Sequence, residues 1–215
     1  MKTYVIFDLD GTLLNTIDDL ANATNHALQT MGYPAHGLWL YPTMVGNGVR
    51  KLIERALPED ARTEAIINKA LEHFREYYGA HLYDATTPYP GIPEVIEELS
   101  DRGISLAVTS NKYQEAVTEL ISHFFPRGNF KAILGHTPDF PTKPDPSIVF
   151  KALSMNPTPK DSVLYVGDSG VDMETARRAC IESVGVTWGF RDVHELRKAY
   201  ADHIISMPSQ ILELV

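Results

Sequence analysis

Short apolar runs alternate with amphipathic stretches along most of the chain, which is the pattern of strands alternating with helices. The first run, Tyr4 to Phe7, is apolar or aromatic at every position and is followed by a polar segment that contains Gly11. Continuous apolar runs of this length are typical of strands buried on both faces. From "TTPYPGIP" onward, strands predicted at "ISLAVTS", "FKAILG", "DSVLYVGD" and "ESVGVTWG" alternate with helices. We therefore expect an α/β fold with a parallel sheet covered by helices on both faces.

The stretch from Thr16 to about Leu82 is helical in pattern throughout. "IDDLANATNHALQTMG" has apolar residues at helical spacing, acidic residues in its first turn and a glycine at its end, and Thr16 is predicted to be its N-cap. "GVRKLIERAL" and "ARTEAIINKALEHFREYYGAHL" predict two further helices. The simplest architecture is a core domain formed by residues 1–15 and 86–215, with a helical domain of residues 16–85 inserted after the first strand.

Composition and charge narrow the possible partners and location. The net charge is −9 and the basic residues are scattered, which argues against binding to a nucleic-acid backbone. No apolar run approaches the roughly 20 residues of a membrane span, and the first residues do not resemble a signal peptide, so we expect a cytoplasmic protein without a membrane partner. We expect Cys180, the single cysteine, to be a buried thiol, and the protein to be a monomer or a homodimer.

Polar residues follow the ends of three predicted strands. Open parallel sheets bind ligands beyond the carboxyl ends of their strands, so these residues are expected to converge with a lysine from the loop "PTKPDP". The converging residues are Asp8 and Asp10 after the first strand, Ser110 and Asn111 after "ISLAV", Asp168 and Asp172 after "SVLYV", and Lys143.

Several acids in one pocket require a compensating cation, because like-charged carboxylates raise one another's pKa. Mg²⁺ is a natural candidate, since it takes carboxylate, water and phosphate oxygens as ligands. Asp8 and Asp10 stand two residues apart and would point to the same side of an extended backbone. A carboxylate in such a site can attack a phosphoryl group, with Lys143 supplying fixed positive charge and Ser110 a hydroxyl donor.

Four segments, "FDLDGTLLNT", "VTSNK", "TKPDP" and "VGDSGVDMETARRA", resemble in order the four motifs of the haloacid dehalogenase (HAD) superfamily. A lone pair of acids two residues apart would be a weak signal, but four motifs in order are specific. The resemblance implies a Rossmann-like parallel-sheet core with an inserted α-helical cap. Asn15 stands where relatives often have an acidic residue, which puts no catalytic role in doubt.

The resemblance also implies a role for each matching residue. Asp8 would be the nucleophile, and Asp10 the general acid and then the general base. Ser110 would bind the phosphoryl group, and Lys143 would hold the nucleophile and the phosphate together. The residues that would bind Mg²⁺ are Asp8, Asp10 through its backbone carbonyl, Asp168 and, at a second acidic position, Asp172.

Five further residues are candidates for substrate binding. Gly11 would allow the backbone to approach the phosphate. Thr12 follows Gly11 and Asn111 follows Ser110 in sequence, although both residue types also occur simply in loops and turns. "MVGNGVRKLIERAL" is similar to the cap segment of phosphoglycolate phosphatases. Within it, Asn47 or Arg50 could contact the non-phosphate end of a substrate, although an arginine on a polar helix face is more often solvated.

The resemblance implies a Mg²⁺-dependent phosphatase that acts on a small phosphorylated metabolite through an aspartyl phosphate. Phosphoglycolate is the first candidate substrate. Dehalogenase members lack an acid at the position of Asp10, so its presence favours phosphoryl transfer. The alternatives are a phosphomutase similar to β-phosphoglucomutase, a pyrophosphatase with the same core chemistry, and a protein that binds phosphorylated ligands without turnover.

Overall fold

Eight strands and nine α-helices make up the computed structural model, which describes residues 1–215. The strands are β1 (Tyr4–Phe7), β2 (Leu14–Asn15), β3 (Thr87–Pro88), β4 (Ser105–Tyr113), β5 (Phe130–His136), β6 (Val163–Gly167), β7 (Glu182–Val186) and β8 (His203–Ile205). The helices are α1 (Ile17–Thr30), α2 (Tyr41–Met44), α3 (Val49–Ala56), α4 (Glu64–Ala80), α5 (Ile92–Asp101), α6 (Gln114–Phe124), α7 (Ser147–Met155), α8 (Gly170–Ala179) and α9 (Val193–Lys198). None of the helices has both the length and the apolar content that a bilayer span requires.

Six of the strands form one parallel sheet in the order β5-β4-β1-β6-β7-β8. β1 lies in the middle, and all four of its residues, Tyr4 to Phe7, are fully buried. A strand covered by helices on both faces has no solvated side, which explains why its sequence does not alternate with polar residues. The predicted α/β fold is confirmed. The carboxyl ends of β1, β4 and β6 therefore lie side by side.

The chain divides into two units, Met1–Asn15 with Pro88–Val215 and Thr16–Thr87. The second unit is helical, and α4 packs against both α1 and α3. Its core includes the fully buried side chains of Leu28, Ile53, Phe74 and Tyr78. The sequence predicted helices and no strand from Thr16 to Leu82, and the structure agrees.

Three local predictions are wrong or incomplete. Thr16 occupies the N-cap position of α1, but its side chain makes no capping hydrogen bond. Cys180 was predicted to be buried, whereas it is exposed in a left-handed conformation at the end of α8. β4 was predicted to end near Ser110, but it continues to Tyr113 across an irregularity in its pairing with β5. The sequence did not predict α9, β8 or the final 3₁₀ helix, Pro208–Glu213.

Candidate active site

Three buried carboxylates meet at the carboxyl ends of β1 and β6. Asp8 follows β1 directly, and its backbone N–H donates to Val166 of β6 at 2.9 Å. Asp168 follows β6, and Asp172 lies in the first turn of α8. Ser169 fixes Asp172 through a capping box, in which Asp172 N donates to the Ser169 hydroxyl at 3.4 Å and Ser169 N donates to Asp172 Oδ2 at 3.2 Å. The Ser169 hydroxyl also donates to Asp172 Oδ2 at 2.6 Å. One oxygen of each acid lies within 4.8 Å of the other two.

Lys143 is the cation at the centre of this cluster, and it is only 3% exposed. Its ammonium group donates to Asp8 Oδ1 at 2.8 Å, to Asp172 Oδ1 at 2.7 Å and to the backbone carbonyl of Thr109 at 3.0 Å. The Asn111 side chain holds the backbone of Lys143 in place, because Lys143 N donates to Asn111 Oδ1 at 2.8 Å and Asn111 Nδ2 donates to the Lys143 carbonyl at 3.2 Å. Asn111 therefore fixes the lysine loop.

Burial and mutual repulsion dominate the electrostatics of the three acids. Burial, followed by repulsion from the Asp172 carboxylate, raises the pKa of Asp8 to about 7 against the opposing effect of Lys143. Burial and the charges of Asp172 and Asp8 hold the pKa of Asp168 well above its ordinary value. Burial acts to lower the pKa of Lys143, but Asp172 and Asp8 outweigh it and hold that pKa well above the ordinary value. Lys143 is therefore a fixed positive charge.

Asp10 lies outside this cluster and has a lysine of its own. Lys112 Nζ donates to Asp10 Oδ1 at 2.9 Å, and the two side chains are 4% and 17% exposed. Sequence reasoning missed Lys112. The signal was present, because Lys112 is the last residue of "VTSNK", two positions beyond Ser110.

Ser110 and Thr12 bring buried hydroxyl groups to the same edge of the sheet. Ser110 is buried, and its hydroxyl accepts a hydrogen bond from the backbone N–H of Lys112 at 3.2 Å. The Thr12 hydroxyl is fully buried and has no partner within the protein. Buried hydroxyl groups rarely stay unpaired in native proteins. The unpaired Thr12 hydroxyl could donate to a ligand oxygen, and substrate binding by Thr12 stays a prediction.

Position 11 requires a glycine for two reasons, its backbone conformation and the lack of room for a side chain. Its φ is +87°, and a Cβ placed there would overlap the Asp168 carboxylate. The glycine lets the segment that carries Asp10 and Thr12 approach Asp168 closely. The expected approach of the Gly11 backbone to a phosphate stays a prediction.

The donor set at Asp8, Asp168 and Asp172 fits a hard divalent cation. The three carboxylates carry three negative charges when ionised, and Lys143 compensates one of them. Two charges remain, and oxygen donors within 4.8 Å of one another suit an ion that prefers oxygen ligands. Both oxygens of Asp172 already accept hydrogen bonds, from Lys143 and Ser169, whereas Asp168 offers the oxygen that is not bonded to the Phe190 N–H.

Comparison with known proteins decides the family. The chain matches the haloacid dehalogenase-like hydrolase family over residues 5–186. The chain belongs to this family. A phosphoglycolate phosphatase from Aquifex aeolicus is 32% identical over 211 residues, which cover 98% of this chain and 95% of the relative. One from Agrobacterium fabrum is 37% identical over 196 residues, which cover 90% of this chain and 84% of the relative.

A solved structure agrees with the family assignment. A crystal structure from Lactobacillus delbrueckii subsp. bulgaricus, provisionally named a phosphoglycolate phosphatase, superimposes with a TM-score of 0.92 at 33% identity. It covers 100% of this chain, and this chain covers 98% of it. The HAD resemblance drawn from the four motifs is confirmed. Enzymes of this family generally use a divalent metal ion, and the buried acids of this HAD-like hydrolase are suited to one.

A loop after β7 also contributes to the site of this HAD-like hydrolase, and sequence reasoning missed it. Trp188 Nε1 donates to the Thr12 carbonyl at 3.0 Å, and the Phe190 N–H donates to Asp168 Oδ2 at 2.7 Å. Between them, Gly189 faces Asp168 so closely that a Cβ would overlap it. "VTWGF" reads only as the end of a strand, and nothing in its residue types indicates the site.

Asn47 and Arg50, the two remaining candidates, lie within the helical unit. Arg50 donates to Glu64 Oε2 at 2.5 Å and to Asn68 Oδ1 at 2.9 Å on the surface of that unit. Asn47 has a positive φ of 62° between two glycines that also have positive φ. Their contact with a substrate stays a prediction.

Proposed function

We propose that this protein is a Mg²⁺-dependent phosphatase that hydrolyses a small phosphorylated metabolite through an aspartyl phosphate on Asp8. The observation that carries the proposal is the Asp8 carboxylate itself. It directly follows β1, it accepts a hydrogen bond from a buried lysine, and one of its oxygens lies within 4.8 Å of two further buried acids. Phosphoglycolate is the first candidate substrate, because the relatives that match most of this chain bear the name phosphoglycolate phosphatase.

Asp8 performs the bond-forming step in this proposal. One of its carboxylate oxygens attacks the phosphorus, an O–P bond forms, and the bond from phosphorus to the leaving oxygen breaks. Asp10 gives its proton to that oxygen, so that a neutral alcohol leaves. Lys143 keeps its ammonium beside Asp8 and offers positive charge to the phosphoryl oxygens.

Hydrolysis of the aspartyl phosphate reverses the proton movement. A water molecule attacks the phosphorus, Asp10 as a carboxylate accepts a proton from it, and the bond to Asp8 breaks. Phosphate leaves and both acids return to their starting states. The hydroxyl groups of Ser110 and Thr12 are the proposed donors to the phosphoryl oxygens, because both are buried at the same edge of the sheet.

Asp8, Asp168 and the backbone carbonyl of Asp10 are the proposed ligands of Mg²⁺, and Asp172 is assigned the outer position. A bound Mg²⁺ would neutralise part of the phosphoryl charge and lower the pKa of Asp8. Asp172 suits an outer position because both of its oxygens are already engaged by Lys143 and Ser169. We assign Asn47 and Arg50 to the non-phosphate end of the substrate.

Phosphate release tests the proposal directly. Purified protein is assayed with phosphoglycolate, sugar phosphates, nucleoside monophosphates, pyrophosphate and p-nitrophenyl phosphate, with Mg²⁺ or with EDTA. We expect Mg²⁺-dependent release that is strongest with phosphoglycolate, lost in Asp8→Asn and retained in Asp101→Asn, an exposed acid at the end of α5. Full activity of Asp8→Asn would contradict the mechanism. Interconversion of β-glucose 1-phosphate and glucose 6-phosphate with little phosphate release would favour a phosphomutase.

A further inference from the structure

A buried tyrosine lies behind the site, at a position to which the proposed mechanism gives no role. Tyr165 is in the middle of β6, is fully buried, and pairs in register with Ile6 of β1. Side chains two residues apart on a strand point to the same face. Asp8 follows Ile6 by two residues, so Tyr165 and Asp8 share one face of the sheet, together with Tyr4.

The Tyr165 hydroxyl reaches the ammonium group of Lys143. The two atoms are 3.2 Å apart, and the hydroxyl also lies 3.0 Å from the Thr109 hydroxyl and 3.5 Å from Asp172 Oδ1. Four oxygens therefore surround the Lys143 ammonium, from Asp8, Asp172, the Thr109 carbonyl and Tyr165. An ammonium group has three N–H donors. The Tyr165 oxygen is the most distant of the four, and the four acceptors must share three donors.

Phosphoryl transfer changes what the Lys143 ammonium must bind. When a phosphoryl oxygen takes one of its N–H groups, an existing acceptor has to release that donor. Asp8 and Asp172 are charged and attract the ammonium strongly in a buried site. The Tyr165 hydroxyl is neutral, since burial raises its pKa, and it can hold the ammonium without competing for its charge.

We propose that Tyr165 is a positioning residue for Lys143. The Tyr165 hydroxyl is hydrogen-bonded to the Thr109 hydroxyl and provides an uncharged acceptor beside the Lys143 ammonium. This acceptor keeps the ammonium within reach of Asp8 while the hydrogen bonds of the ammonium are redistributed. The inference rests on the proposed phosphatase activity. It predicts that loss of the hydroxyl slows turnover and leaves substrate affinity nearly unchanged, because Tyr165 is fully buried and its hydroxyl contacts Lys143.

The test compares Tyr165→Phe with a matched loss of a buried hydroxyl. Tyr4 belongs to the same buried cluster, and its hydroxyl donates to the Ala152 carbonyl at 3.4 Å rather than to Lys143. Steady-state kinetics with p-nitrophenyl phosphate and Mg²⁺ are measured for the parent, Tyr165→Phe and Tyr4→Phe, with the Tm of each protein. We expect kcat to fall about tenfold in Tyr165→Phe with KM within about twofold, and both constants to stay within about twofold in Tyr4→Phe.

A second variant covers the case in which Tyr165→Phe does not fold. Thr109→Val removes the hydroxyl that holds Tyr165 and keeps the Thr109 carbonyl, which is part of the backbone. We expect a fall in kcat of about threefold to fivefold, and near-parental kcat in Thr109→Ser, which restores the hydroxyl.

The failures of the two proposals look different. An active parent whose kcat is unchanged in Tyr165→Phe, or reduced equally in Tyr165→Phe and Tyr4→Phe, overturns the role of Tyr165 alone. A parent that releases no phosphate from any substrate overturns the proposed function and the role of Tyr165 with it.

Discussion

Two lysines supply the buried positive charge at the candidate site. Lys143 binds Asp8 and Asp172, and Lys112 binds Asp10. The proposed nucleophile and the proposed acid therefore each have a lysine as a hydrogen-bonded partner. Four acids against two lysines leave an excess of two negative charges, which matches one divalent ion; the acids are Asp8, Asp10, Asp168 and Asp172.

Replacing Lys112 by methionine should therefore affect both stability and turnover. Breaking a buried ion pair by removing one partner is costly, and Asp10 retains some exposure, so we expect a loss of about 1–3 kcal/mol in the free energy of unfolding. We expect kcat to fall at least tenfold, because Asp10 loses the partner that orients it. Urea denaturation and steady-state kinetics measure the two effects.

Lys51→Met is the matched control for this prediction. Lys51 pairs with Glu54 on the surface of the helical unit, and exposed pairs contribute little to stability. Both the urea midpoint and kcat should stay at the parental values. A Lys112→Met protein that behaves like Lys51→Met would contradict the importance of the Asp10 pair.

A residue of the site was predictable from the sequence where it directly follows an apolar run. Asp8 and Asp168 follow short apolar runs that are typical of buried strands, and the carboxyl ends of parallel strands lie at one edge of a sheet. Lys112 and Trp188 were not predictable in this way. Lysine and tryptophan occur on any surface, and only the folded chain shows which carboxylate or carbonyl each one reaches.

The loop after β7 shows how a short connection fixes the site. Gly189 leaves no room for a side chain against Asp168 and the Gly11 carbonyl, while its neighbours bind the Thr12 carbonyl and the Asp168 carboxylate. A shift of this loop would break these hydrogen bonds, so the loop helps to fix the position of the Asp168 side chain.

Gly189→Ala should displace Asp168 and weaken metal binding. The added methyl would overlap both Asp168 and Gly11, so we expect a lower Tm and at least a tenfold weaker apparent affinity for Mg²⁺ in thermal-shift titrations. Gly79→Ala is the control, because Gly79 lies in α4 and the added methyl would have no neighbour within 4 Å apart from the adjacent residues and backbone of its own helix. Alanine there should stabilise the protein by about 0.5–1 kcal/mol. Unchanged Mg²⁺ affinity in Gly189→Ala would contradict this role.

Asp19 ties the two ends of the helical unit together. It is buried in the first turn of α1, and its carboxylate accepts hydrogen bonds from Ala85 N, Thr86 N and the Thr86 hydroxyl at 2.7 to 3.0 Å. Asp19→Ala would leave two backbone N–H groups without their partner, and we expect a loss of about 2–4 kcal/mol by urea denaturation. Asp18→Ala, one residue away, should cost less than about 1 kcal/mol. Equal losses would show that Asp19 acts only through the helix dipole.

The helices and strands differed in how clearly the sequence pattern predicts them. β1, β4 and β6 were predicted because they are continuous apolar runs, and α4 because its apolar spacing persists over many turns. The far end of β4 was missed because polar residues continue the strand into the site. α9 and β8 are too short, at six and three residues, for periodicity to identify them.

Stability of the whole molecule should depend on pH and on metal together. The folded-state pKa values of Asp8, about 7, and of Asp168 are raised, so the metal-free folded protein binds more protons than the unfolded chain. Its stability should therefore fall as the pH rises from about 4 through about 7. Mg²⁺ binds the ionised carboxylates, so its stabilising effect should grow over the same window.

Thermal unfolding with EDTA or with Mg²⁺ at several pH values checks this linkage. At pH 8 and Mg²⁺ near 100 times its Kd, stabilisation of about 2.7 kcal/mol corresponds to a Tm increase of roughly 5–10 °C. At pH 5 the increase should be less than about a third of that. Asp168→Asn should abolish it, and an equal increase at pH 5 and pH 8 would contradict the assignment of the ion to these acids.

The most direct test of the central claim is chemical trapping of the phosphorylated enzyme. Protein that is turning over p-nitrophenyl phosphate with Mg²⁺ is quenched and reduced with borohydride, which converts an aspartyl phosphate to homoserine, and its peptides are analysed by mass spectrometry. The mechanism predicts homoserine at position 8 in the peptide that contains "FDLDGTLLNT", and none without substrate or in Asp8→Asn. Phosphate release by active enzyme with Asp8 unmodified in the trapped protein, or with homoserine at another aspartate, would contradict it.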